Sequence, residues 1–159
     1  MSDNLRNEAH LEPAEFSSVT GNSLIKILEP LGISRLQDIK NPLDTTPVAD
    51  DAVFSRCVEV ILRDKQVDCA VVSPLPMTPS LNTLSVSQRH GEDIRRKGSI
   101  GRRLIDLYRR TEKPWVVSLD GGASYGPLAA MLEQAGIPVF SKCDQATAFL
   151  RKYINRLTR

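Results

Sequence analysis

The chain has 159 residues, 21 Lys+Arg against 19 Asp+Glu for a formal charge of +2, and 41% hydrophobic and 25% charged residues, which excludes a disordered, collagenous or membrane-embedded class. That length predicts one domain with a sizeable core, here residues 11–159 behind a polar, disordered N-terminus over 1–10. The small net charge hides a segregation: residues 89–110 carry eight Lys/Arg against three Asp/Glu, residues 151–159 four bases and no acid, and the remainder therefore sums to −7.

The N-terminus has no apolar segment resembling a signal peptide, and no run approaches the roughly 20 apolar residues of a membrane span, so a cytoplasmic location is expected. Residues 11–16 read as a short edge strand, 23–28 as a short helix ending before Pro30, and 33–39 as an extended piece leading into Asn41-Pro42-Leu43-Asp44. From Asp50 the pattern alternates. Asp50 or Asp51 can cap a helix whose Val53, Phe54, Cys57, Val58, Ile61 and Leu62 form one apolar stripe. Residues 67–72 are then a nearly unbroken apolar run, the signature of a strand buried on both faces of a parallel sheet.

Ser99 caps the next predicted helix, with Ile100, Leu104, Ile105, Leu107 and Tyr108 inward and the arginines outward, and 115–119 is a second buried strand. Pro127 opens a helix carrying Leu128, Met131, Leu132 and Ala135, and Gly136 suits its C′ position. Residues 137–140 form the last strand. Asp144 starts a final helix that puts Ala146, Phe149, Leu150, Tyr153, Ile154 and Leu157 on one side. Strand and helix in alternation with short loops predict right-handed crossovers, and hence an α/β domain with a parallel sheet between helix layers.

Ligands of such sheets sit at the carboxyl ends of the strands, which directs attention to three loops. The first, at 73–79, is stiffened by three prolines, and its amides with Thr78 and Asn82 can receive a carboxylate; a stiff structural connection is the competing reading. In the second, Asp120-Gly121-Gly122 leads through Tyr125 into a helix, where small residues can cradle an anion. A glycine turn chosen for its backbone conformation competes there, and Asp120 opposes a phosphate. The third, Asn41-Pro42-Leu43-Asp44, reads chiefly as a structural turn built on local hydrogen bonds of Asp44.

No residues are expected to be catalytic. His90 stands in a polar connecting loop, and no carboxylate pair or Ser/His/Asp set is readable. Cys57, Cys69 and Cys143 are odd in number and lack CxxC spacing, while His10 and His90 offer no zinc-like spacing, so reduced thiols and no metal site are expected. The bases lie on helical patterns without interleaved aromatic residues, which reads as solvated helix faces and not a nucleic-acid site.

Taken in order, Asn41-Pro42-Leu43-Asp44, Val67-Asp68, Pro76-Met77-Thr78-Pro79, Lys113-Pro114-Trp115-Val116-Val117, Asp120-Gly121-Gly122 and Gly136-Ile137-Pro138-Val139-Phe140 resemble the last flavodoxin-like, succinyl-CoA synthetase-like domain of NDP-forming acyl-CoA synthetases, over about residues 11–155. The resemblance implies a flavodoxin-like three-layer sandwich without the family's first βα unit. It implies a domain or truncated subunit of an enzyme that converts acyl-CoA, phosphate and NDP to acid, CoA and NTP. Pro76, Met77, Thr78 and Asn82 would then contribute to acid binding, while Asn41, Asp44, Asp120, Gly121, Gly122 and Tyr125 belong to structural or ligand loops.

The phosphohistidine loop, the CoA-type glycine turn and an ATP-grasp module find no match here. CoA, ATP/ADP and Mg are therefore expected to belong to the complete enzyme, and none to this chain. Its partners would be the CoA-binding and ATP-grasp domains or a second copy, the latter because a missing interior strand exposes a sheet edge. The alternative implied by the same resemblance is a non-catalytic, ligand-sensing regulatory module, as in synthetase-like regions fused to protein acetyltransferases.

Overall fold

The computed structural model describes residues 11–32, 39–74 and 78–157. The expectations for residues 1–10 (with His10), for 33–38, and for Pro76 and Met77 lie outside them.

Helix α1, Ser18–Leu28, begins earlier than the sequence suggests because Ser17 caps it, its hydroxyl accepting from the Thr20 N–H at 3.3 Å. The edge strand expected over 11–16 does not form. The polar groups of this segment turn to side chains: Asn41 Nδ2 donates to the Ala14 carbonyl at 3.1 Å, and the Ser17 N–H donates to Asp64 at 2.8 Å.

Helix α2, Asp51–Arg63, is capped as expected by Asp50, which accepts from the N–H groups of Ala52 and Val53 at 2.9 and 2.8 Å. Strand β1 is Ala70–Val72, shorter than the apolar run that announces it. The Val67 N–H closes the turn after α2 by donating to the Asp64 carbonyl, so the start of the run never joins a ladder.

The chain continues through α3 (Ile100–Tyr108), β2 (Trp115–Ser118), α4 (Gly126–Gln134), β3 (Val139–Phe140) and α5 (Cys143–Leu157). Gly136 ends α4 at φ +90°; its N–H bonds the Glu133 carbonyl and that of Ile137 bonds Leu132. This double closure needs a left-handed residue, a conformation costing a side chain about 1–2 kcal/mol.

The three strands are parallel in the order β1-β2-β3, with Val71 opposite Val116 and Val117 opposite Val139. Side chains alternate across the sheet. Val72, Trp115 and Val117 pack on α2, α3 and α4, whereas Val71, Val116 and Phe140 meet Ala146 and Leu150 of α5. Helix α1 stands outside α2, burying Leu24, Ile27 and Leu28 on Cys57. The stripe predicted for α2 is thus two surfaces, one for the sheet and one for α1.

This is a three-layer α/β sandwich of the flavodoxin-like kind, with α3 and α4 as crossovers on one face and α5 on the other. Two details correct the sequence reading of α5. It starts at Cys143, with Asp144 inside its first turn, and Phe149, Tyr153 and Leu157 remain exposed although they continue the apolar side. The Phe149 ring lies 5.2 Å from Phe140 and 6.2 Å from Tyr153, a partly covered aromatic row. Among the described residues no strand pairs with the outer edge of β1.

Candidate functional site

The segment joining β1 to α3 folds back over the N-termini of α2 and α3, and Asp51 ties the three together. One of its oxygens accepts from the Ile100 N–H at 2.7 Å and the Asn82 N–H at 3.0 Å, and the other from Asn82 Nδ2 at 2.6 Å. The carboxylate of α2's first turn therefore caps α3. Ser99, placed to cap α3 itself, instead donates its hydroxyl to the Ile94 carbonyl at 2.6 Å.

Glu92 fixes the other half of the segment. A single oxygen accepts from the Thr83 N–H and hydroxyl, both at 2.8 Å, and from the Leu84 N–H at 3.2 Å. Asn82 Oδ1 takes the Asp93 N–H at 3.1 Å.

Between these ties lies an open cavity of about 740 Å³, lined by Thr78, Asn82 and His90 from the connecting segment, by Arg96 and Lys97 from the approach to α3 and by Arg103 from its first turn. Its acidic members, Asp50, Asp51 and Glu92, already accept two or three hydrogen bonds each. Its cations are not neutralised in the same way. Arg103 donates Nε to the Gly98 carbonyl at 2.7 Å, and neither Arg96 nor Lys97 has a carboxylate partner among the described residues.

Two polar atoms of the wall are buried without a hydrogen-bond partner: the Thr78 hydroxyl, on a residue 4% exposed, and His90 Nδ1. A buried polar atom left unpaired costs about 1–3 kcal/mol, and both atoms belong to residues that line this cavity.

Of the residues singled out from sequence, Thr78 and Asn82 come together in this cavity, at the carboxyl end of β1. Asn82 spends its side chain on Asp51 and Asp93, so it shapes the wall while Thr78 keeps a free hydroxyl. The remaining loops lie elsewhere. Asp44 accepts the Thr46 N–H at 2.8 Å in a local turn, and Asn41, joined to Pro42 by a cis bond, holds the N-terminal segment. Gly122, at φ +72°, turns the loop from Asp120 and Gly121 into a short 3-10 segment, Ala123–Tyr125, whose Tyr125 is buried in the main core.

His90, Arg96, Lys97 and Arg103 escape the sequence reading as site residues. A signal was present: cations crowd the N-terminal end of a helix with no acid in its first turn, opposing the helix dipole.

Cys57 and Cys69 are unsuited to nucleophilic work. Burial pushes the Cys57 thiol up to about 11 and also raises Cys69, with Asp68 adding to the latter. No group of His, Cys, Asp and Glu fit to hold a metal occurs among the described residues, and none of their helices is long and apolar enough to cross a membrane.

No family model and no curated protein matches the chain. Its structure is similar to the crystal structure of the PH0766 protein of Pyrococcus horikoshii OT3, with a TM-score of 0.66 at 20% identity over 91% of this chain. The match spans 31% of that protein's length. At this identity the likeness establishes the fold alone: the chain is a flavodoxin-like α/β unit.

Proposed function

We propose that the chain is a flavodoxin-like module of an NDP-forming acyl-CoA synthetase, and that its cavity at the carboxyl end of β1 receives the carboxylate of the acid substrate. The observation carrying this reading is the buried, unpartnered hydroxyl of Thr78, which lines a cavity together with Arg96, Lys97 and Arg103 and lies in the loop that the family resemblance associates with the acid. Similarity to about a third of a longer protein supports a module that works with others. CoA-binding and ATP-grasp modules are the partners this reading requires.

The loop after β1 does not suit the nucleotide-type groups of the complete reaction. The loop after β1 opens with Ser73-Pro74, where a proline removes a backbone donor and no glycine turn approaches a diphosphate. As the family resemblance implies, this reading leaves CoA, ATP and magnesium to the partner modules and gives this chain the binding and orienting of an anion.

The test is an acyl-CoA synthesis assay with acid, CoA and ATP. The 159-residue chain alone is expected to form none, and a partner protein carrying the CoA-binding and ATP-grasp modules is expected to need it for full activity. Acyl-CoA formed by the isolated chain refutes the proposal.

A further inference from the structure

We infer that one exposed flank of α5 pairs with the same flank of a second copy of this chain, as two antiparallel helices related by a twofold axis between positions 152 and 153. Phe149, Lys152, Tyr153 and Arg156 recur at spacings of three and four, so they share one side of the helix. The core does not use that side. Helix α5 packs on the three strands and buries Ala146 and Leu150, while Phe149 and Tyr153 stay 38% and 43% exposed and Lys152 and Arg156 are exposed as well. The contact of Phe149 with Phe140 places the flank at the outer edge of β3, the last strand of the described sheet. The rings of Phe149 and Tyr153 are near parallel, 15° apart, and form one surface.

The order of residue types selects the occupant. In an antiparallel pair about that axis, Phe149 meets the partner's Arg156 and Lys152 meets the partner's Tyr153. The symmetry repeats both, so four cation–ring contacts form and no cation faces another. Ring faces attract cations, most of all guanidinium groups. A parallel pair in the same register would set Lys152 on Lys152 and Arg156 on Arg156. The cations are available for such contacts: neither Lys152 nor Arg156 has a carboxylate partner among the described residues. The positions four before them are Ala148 and Lys152, so the helix itself offers no acid at pairing distance.

One helix flank is smaller than the roughly 800 Å² per partner of a standard stable interface, so the pair is weak and reversible. Its two sides both carry net positive charge, to which Arg151 adds from the opposite flank. Added salt screens that repulsion and strengthens the pair, the reverse of a basic helix held on an acidic surface.

The experiment is sedimentation equilibrium of the 159-residue chain at low and high sodium chloride, with variants checked by melting temperature. A monomer–dimer equilibrium that tightens with salt is expected. Phe149→Ala and Arg156→Gln are each expected to weaken it about tenfold, the loss of contacts that occur twice in the dimer. Arg156 is exposed, so its variant should keep the native melting temperature even if Phe149→Ala lowers it by uncovering Phe140. Arg151→Gln, which removes a charge outside the pairing flank, is expected not to weaken the dimer.

The pairing itself is read by combining Phe149→Ala with Arg156→Gln. The two residues lie about 10 Å apart along their own helix, too far to couple within one chain, so the double variant should lose clearly less than the sum of the single losses. A chain that stays monomeric, a dimer that weakens with salt, an Arg156→Gln variant that dimerises as well as the native chain, or additive losses in the double variant each overturn the inference.

Discussion

Replacing Asp51 with alanine tests the architecture of the site most severely. The carboxylate is buried, 8% exposed, and receives three donors from two segments far away in sequence: the Ile100 N–H that opens α3 and both nitrogens of Asn82. Its removal strips α3 of a cap, worth about 1 kcal/mol, and leaves buried donors without an acceptor, worth about 1–3 kcal/mol more. The expected total is about 2–4 kcal/mol, a large part of the roughly 5–15 kcal/mol that holds such a domain folded. In a domain of this size it corresponds to a fall of about 5–15 °C in melting temperature.

Asp51→Asn is expected to lose about half as much. It keeps one oxygen for the two backbone N–H groups but turns an amide nitrogen toward Asn82 Nδ2. Asp50→Ala, which removes the cap of α2 alone, is expected to cost about 1 kcal/mol. Urea denaturation of the three variants at neutral pH measures the series. A loss below about 1 kcal/mol for Asp51→Ala, or equal losses at positions 50 and 51, would refute the claim that one carboxylate joins α2, α3 and the connecting segment.

Further outcomes are expected elsewhere in the fold. Burial pushes the Asp64 carboxyl up, but the backbone N–H groups of Gln66 and Ser17 and the hydroxyls of Thr20 and Ser17 outweigh it and hold the group at about 2, below the ordinary 3.8. A depressed carboxyl contributes stability that is complete above about pH 4 and is lost as pH falls toward 2; acid titration of unfolding should show this loss in the native chain and a flatter profile in Asp64→Asn. A Cβ at position 101 would come within 2.8 Å of a Leu128 methyl and 3.2 Å of the Met131 sulfur. Gly101→Ala should therefore destabilise by about 1–2 kcal/mol by thermal denaturation, despite the roughly 1 kcal/mol that alanine gains inside a helix, and a stabilised variant would show that the α3–α4 contact has slack. The unpaired edge of β1 and the exposed Phe149, Tyr153 and Leu157 predict concentration-dependent self-association in sedimentation velocity; a monomer at high concentration counts against it.

The amphipathic helices were legible because their apolar residues recur at helical spacing, as with Phe54, Cys57, Val58 and Leu62 of α2, and because Asp50 is a strong local cap. The strands were legible as apolar runs, but their limits were not: whether Val67 joins the ladder depends on a turn closed by the Asp64 carbonyl, which the run itself does not encode. Likewise, Phe149 and Tyr153 follow the spacing of a buried face, yet among the described residues the sheet beneath α5 is three strands wide.

The site was legible in part. The rule that ligands gather at strand carboxyl ends led to Thr78 and Asn82, since it needs only the position of a strand. His90, Arg96, Lys97 and Arg103 join them through the Asp51 bonds to Asn82 and Ile100, which span 31 and 49 positions. Pairing at that range leaves no local pattern. The one trace was physical, a cluster of cations placed where the dipole of α3 repels them.

The central claim, that the cavity at the carboxyl end of β1 binds an acid, is tested most directly by backbone amide chemical-shift mapping during a titration with succinate. The account predicts saturable shifts concentrated at residues 78–82, at His90 and at the start of α3 around Ser99 and Ile100, with little change at residues 120–125. Saturable shifts centred on residues 120–125, or none at any concentration of succinate, would contradict it.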